Sequence, residues 1–205
     1  MRMKKVLGLF LAVFGLSLAA LAADDYKIDP VHSTVAFSVT HMVVNTVHGR
    51  FNDFSGTIAF DDKDPSKSSV NVTIKAPSIN TDNAQRDGHL KSPDFLDVAK
   101  FPEITFQSKS VEKKADGFIA HGTLTIHGVA KDVDLAFKLK GPISVGPGKS
   151  LLGAEATLTI NRQEFGVAWS KSMAPGELVV ANDVKIDINV EAGHAAPAPA
   201  PAATK

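Results

Sequence analysis

Between Asp24 and Glu191 the apolar residues recur at every second position, the period of a half-buried β-strand. Val35, Phe37, Val39 and His41 alternate with Thr34, Ala36, Ser38 and Thr40. Phe54, Gly56, Ile58 and Phe60 form the next run, followed by Val70, Val72 and Ile74, then by Ile104 and Phe106. Phe118, Ala120, Gly122, Leu124 and Ile126 continue the series, as do Val133, Leu135, Phe137 and Leu139. Leu152, Ala154, Ala156, Leu158 and Ile160 precede a last run of Val184, Ile186, Ile188 and Val190. These runs predict about eight amphipathic strands joined mostly by short turns. Asp61–Pro65 and His127–Ala130 are turn candidates, and Gly141–Gly148 reads as a looser loop. One stretch breaks the pattern. Asn83–Leu90 and Pro93–Val98 lack alternation and predict one or two short helices, with Thr81 or Asp82 as the first cap.

An antiparallel meander of eight strands with one apolar face packs as a two-sheet sandwich or closes into a barrel. Closure removes exposed edges. Eight strands enclose either a side-chain core or one small ligand. The small residues Gly56, Ala120, Gly122, Ala154 and Ala156 stand on the inward face, where a filled core would place large ones. Either they open an internal cavity or the facing Phe residues fill the space they leave. A Gly122→Phe substitution separates the two readings. It blocks a cavity at little cost in stability, or it overpacks a filled core.

The ends of the chain read differently. Arg2, Lys4 and Lys5 precede an apolar run from Val6 to Leu21 and the small-x-small sequence Ala20-Leu21-Ala22. This is the pattern of a secretory signal peptide over 1–22, cleaved after Ala22, against the alternative of a membrane anchor. The signal holds three of the 22 basic residues and none of the 22 acidic ones, so cleavage leaves 19 against 22 and a net charge of −3. From Ala192 onward, alternating Ala and Pro predict a disordered tail over 192–205. The barrel domain is then 23–191. An exported, mildly acidic chain without cysteine suits a bacterial periplasm.

Candidate chemistry is sparse. The absence of cysteine excludes disulfides, thiolate metal sites and cysteine nucleophiles. Zero net charge on the full chain argues against nucleic-acid binding. The sequence holds no nucleophile elbow, phosphate-binding loop or zinc-protease motif. His121 and His127 share one strand face but lie ~20 Å apart, too far for joint chelation. No metal and no cofactor is expected. His41 ends an apolar face, either as a core histidine or as a polar contact at a cavity mouth. Arg86 beside Asp87 pins the helical insertion or meets an anionic head group. Arg162, in Asn161-Arg162-x-x-Phe165-Gly166, fixes a turn through carbonyls or receives an anion. Trp169, the single tryptophan, offers a large apolar surface.

The order of these features resembles the YceI-like family of polyisoprenoid-binding, lipocalin-like barrel proteins. The matching stretches are Tyr26–His41 (YKIDPVHSTVAFSVTH), Ser78–Phe95 (SINTDNAQRDGHLKSPDF), Phe101–Phe106 (FPEITF), Gly122–Lys131 (GTLTIHGVAK) and Asn161–Gly166 (NRQEFG). The resemblance implies an exported, all-β, closed eight-stranded antiparallel barrel with a helical insertion, and a homodimer in many members. It also implies an elongated pocket for a polyisoprenoid or a fatty-acid-like lipid. Separately, transient membrane contact is an expectation for such a lipid-binding protein. The pocket walls are then Val35, Phe37, Val39, Phe54, Ile58, Phe60, Val72, Ile74, Phe106, Phe118, Leu124, Leu135, Phe137, Leu158, Val167 and Trp169. His41, Arg86 and Arg162 are the head-group candidates. A barrel of this kind is ~25 Å tall. Burying ~400 Å² of lipid supplies ~10 kcal/mol gross. Two alternatives stand beside the carrier: an enzyme acting on such a lipid with His41 as acid or base, and a filled, ligand-free stress or interaction protein.

Overall fold

The structure, a computed structural model, describes residues 24–173 and 176–195. It is an up-and-down meander. Strands β1 (Asp24–Ile28) and β2 (Thr34–His41) are two halves of one bent strand. They pair antiparallel with β4 (Phe54–Phe60) and β3 (Asn45–Phe51), the halves of the next. Strands β5 (Ser69–Lys75) and β6 (Ile79–Asn80) make the third in the same way. Strands β7 (Glu103–Lys114), β8 (Gly117–Ile126), β9 (Val129–Gly146), β10 (Lys149–Asn161) and β11 (Val180–Ala195) follow in spatial order. Strand β11 then pairs with both β1 and β2, so the sheet closes into an eight-stranded antiparallel barrel.

Asn45–Phe51 and Asp24–Ile28 carry too few alternating apolar residues to read as strands. Both form by extending a neighbouring strand across a bend. The break in the first falls at Asp29-Pro30, where proline has no N–H for the ladder. The segment expected as a loose loop from Gly141 is strand as far as Gly146, paired with the start of β10. The domain end also moves. Strand β11 continues past Glu191 to Ala195, with Ala192 fully buried opposite Leu152. An alanine after Val190 keeps the alternation without showing it, because its side chain is too small to mark a face. The expected signal segment, and the tail beyond residue 195, lie outside the described residues.

Between β6 and β7 runs helix α1 (Ala84–Lys91), capped by the Asn83 side chain, which accepts from the Arg86 N–H. Pro93–Val98 forms successive turns instead of a second helix. Two apolar clusters pack inside the barrel, one toward each end. Tyr26, Ile28, Val35, Phe54, Ile58, Leu152 and Val190 occupy the end near both described termini. Ala76, Phe95, Ile104, Leu124, Ile126, Phe165 and Val167 occupy the end under the insertion.

Candidate functional site

An apolar cavity of about 240 Å³ lies between these clusters. That is many times the ~10–15 Å³ a single water needs. Every barrel strand contributes to its wall, from Ile28 on β1 to Val190 on β11. At one end Leu90, Phe95 and Leu96 of the insertion close over it, together with Phe165 and Val167 from the β10–β11 connection. The surface that faces the cavity is wholly apolar.

The small residues divide. Ala120, Ala154 and Ala156 line the cavity, so their missing bulk is what keeps it open. Gly122 does not. A Cβ there would stand 2.7 Å from the Phe106 ring and 2.6 Å from the Gln107 carbonyl. Its space is already taken, as large–small alternation allows. Gly56 is likewise pressed against the Asn71 carbonyl. Gly122→Phe therefore clashes with backbone whether or not the barrel holds a ligand, and the two readings are separated at the alanines instead.

Of the expected wall residues, Val35, Phe37, Val39, Phe54, Ile58, Val72, Ile74, Phe106, Leu124, Leu135, Phe137, Leu158 and Val167 line the cavity. Phe60, Phe118 and Trp169 stand outside it. Phe60 meets Phe118 edge-on, and Phe118 stacks on Phe137, forming an aromatic cluster beside the wall. Trp169 packs on His89 and Phe95, behind the insertion. Pattern reading missed Leu90, Phe95 and Leu96. They sit on the segment without alternation: Leu90 is an apolar residue in a mostly polar helix, and Phe95 and Leu96 lie in the turns that follow it.

The three head-group candidates are placed elsewhere or occupied. His41 ends β2, paired with Asn45 and Val180, outside the cavity lining. Arg86 serves the insertion. Its Nε donates to Thr81 Oγ1 and its Nη2 to the Thr81 carbonyl, both at 2.8 Å. Asp87 accepts from the N–H and hydroxyl of the same threonine. Arg86 and Asp87 thus converge on Thr81 and fasten α1 to the barrel. Arg162 does reach the cavity wall and is 5 % exposed. All five of its N–H donors are engaged, by the carbonyls of Val167, Trp169, Val180 and Ala181 and by Asn182 Oδ1, at 2.7–3.3 Å. Burial lowers its pKa from the ordinary arginine value. It ties the β10–β11 connection together and leaves no donor for an anion.

Asp29, His32 and Glu191 bring one ligand atom each within 4.8 Å of one another, on the surface at the β1–β2 bend. His32 Nδ1 bonds Asp29 Oδ2 at 2.8 Å, and Asp29 Oδ1 accepts from the Val31 N–H. The group clamps the bend. Among the described residues no buried side-chain nitrogen or oxygen lacks a partner.

Comparison with known proteins agrees with this architecture. The family model for the YceI-like domain matches residues 26–192. Protein YceI of Salmonella newport is 39 % identical over 190 residues, covering 92 % of this chain and 96 % of that protein. The crystal structure of the Campylobacter jejuni YCEI protein is similar with a TM-score of 0.66 and 33 % identity, covering 77 % of this chain and 90 % of that one. A polyisoprenoid binding domain from Saccharophagus degradans, implicated in plant cell wall breakdown, shares the fold with a TM-score of 0.58 and 18 % identity, covering 83 % and 98 %. A family match over almost all the described residues, on a closed barrel with an apolar interior, places this chain in the YceI-like family.

Proposed function

We propose that the protein binds a long-chain isoprenoid or similar amphiphilic lipid inside the barrel and carries it through the periplasm after export. The observation that carries this reading is the continuous apolar wall of the cavity, held open by Ala120, Ala154 and Ala156. Filling 240 Å³ with hydrocarbon recovers about 6 kcal/mol at ~24 cal/mol per Å³. That is comparable to the whole stability of a small domain. The wall offers no polar pattern to read a compact polar substrate, so selection is by chain length and shape. The polyisoprenoid binding domain of Saccharophagus degradans has the same fold and points to the isoprenoid class.

The same wall favours binding over catalysis. Its one titratable side chain is Arg162, whose donors are all engaged in structure. A general acid or base needs hydrogen-bond reach of the reacting atoms, and His41 does not line the cavity. The signal-like segment before Asp24 supports export.

Uptake of farnesol, an isoprenoid alcohol of three units whose chain matches the cavity volume, by the delipidated protein tests the reading. The wild type binds it. Ala154→Phe places a ring in the cavity and weakens binding at least tenfold, about 1.4 kcal/mol, while the barrel stays folded. Undiminished binding by Ala154→Phe would place the lipid elsewhere.

A further inference from the structure

The hairpin between β2 and β3 ends in three consecutive apolar residues. Met42, Val43 and Val44 are 45 %, 56 % and 88 % exposed. The other large exposed apolar side chains among the described residues are Val31 and, near the opposite end of the barrel, Ile143 and Val145. The tip is a tight turn, in which the His41 carbonyl accepts from the Val44 N–H at 3.3 Å. Met42 and Val43 are its central residues, with φ of +48° and +63°. That left-handed region favours Asn and Gly, and Asn-Gly is the preferred pair in such a turn. A β-branched valine there is an outlier. Outliers of this kind persist where the surroundings over-determine them, often at functional positions. The Met42 N–H donates to the Val179 carbonyl at 2.8 Å, so the tip is tied to the segment that leads into β11. Directly behind it, β2 runs into the cavity wall through Val39, Phe37 and Val35, and Val180, the partner of His41, lines the cavity too.

We infer that the Met42–Val44 tip inserts into the outer hydrocarbon of a lipid bilayer and docks this end of the barrel on the membrane. The inference rests on the lipid-carrier reading, for which the membrane is the source of cargo. A bilayer fits the tip better than a protein partner does. Three side chains on a convex turn cannot supply the roughly 800 Å² per partner of a stable protein interface. Hydrocarbon accepts a small convex apolar surface without a matching shape, and gives shallow, reversible binding. The neighbouring loop carries Lys171 and Glu177, one charge of each sign. The contact is therefore apolar, and its strength should be insensitive to salt.

The test is flotation of the purified protein with vesicles of phosphatidylethanolamine and phosphatidylglycerol. Wild type floats with the vesicles at both low and high salt. Met42→Asn/Val43→Gly gives the turn the residues its geometry favours, so it melts no lower than wild type, yet it loses most of the vesicle association. Ile143→Ser/Val145→Ser, at the other end, floats like wild type. Wild type that stays with the unbound fraction overturns the inference. So does a tip variant that floats undiminished, or an equal loss in the Ile143/Val145 variant. Farnesol separates this from the cargo reading. Tip substitution slows uptake from vesicles but leaves equilibrium binding of farnesol added from ethanol unchanged. Flotation without farnesol binding supports docking and removes the cargo reading; farnesol binding without flotation does the reverse.

Discussion

Removing the guanidinium of Arg162 leaves the carbonyls of Val167, Trp169, Val180 and Ala181 without their donor in a buried setting. Each unsatisfied group carries its own desolvation penalty, so Arg162→Ala should destabilise the barrel by about 3–5 kcal/mol in urea unfolding. A loss below about 1 kcal/mol would mean that water replaces the side chain without cost. Gly122→Ala sets a new methyl against the Phe106 ring and the Gln107 carbonyl and should cost about 1–3 kcal/mol, read in the same titration. At this scale the sequence shows which residues face inward but not how their volumes add. Gly122 and Ala154 look alike in the alternation. One is covered by a ring from the neighbouring strand, the other borders open space, and only the position of Phe106 decides which.

Among the elements, the bend between β1 and β2 answers to pH through the Asp29–His32 pair. Donation from His32 to the Asp29 carboxylate, and that carboxylate's charge, raise the His32 pKa, and the same bond lowers that of Asp29. A raised histidine pKa contributes stability that is complete below the ordinary value of ~6.5 and is lost as pH rises through the raised one. A lowered carboxylate pKa contributes above its ordinary value of ~3.9 and is lost as pH falls through the lowered one. The clamp is therefore fullest between those ordinary values. His32→Gln should melt below wild type near pH 5.5 and level with it near pH 9. A difference that persists unchanged at the higher pH would show that the ion pair is not its cause.

The insertion is held by other means, through Thr81. Asp87→Ala strands the Thr81 N–H and hydroxyl, loosens α1 and frees the end of the cavity that Leu90 and Leu96 cover. The expected result is faster release of bound farnesol with the barrel still folded; an unchanged off-rate would show that α1 does not retain cargo. The helix was legible from its lack of alternation. Its role was not, because its few apolar residues gain meaning only when the β6–β7 connection folds across the barrel end.

For the whole molecule, strict alternation in eight runs made the meander legible. The rule that edges must be covered favoured closure, and β11 pairing with β1 and β2 provides it. What periodicity could not supply is the bent strand. The two halves of each of the first three strands differ in composition, and the polar half is recruited only because its neighbour is already paired. Nor could it show a cavity, which is a sum over all strands. If hydrocarbon fills that cavity, the lipid-loaded barrel should melt above the delipidated one by an amount that grows with free lipid concentration.

The proposed role, a chain lipid held in the barrel interior, is tested best by native mass spectrometry of the protein purified from the periplasmic fraction without detergent, followed by organic extraction of what it releases. The expected result is one isoprenoid or similar chain amphiphile per barrel, lost in Ala154→Phe. A bare polypeptide mass that takes up no added isoprenoid alcohol would rule the role out.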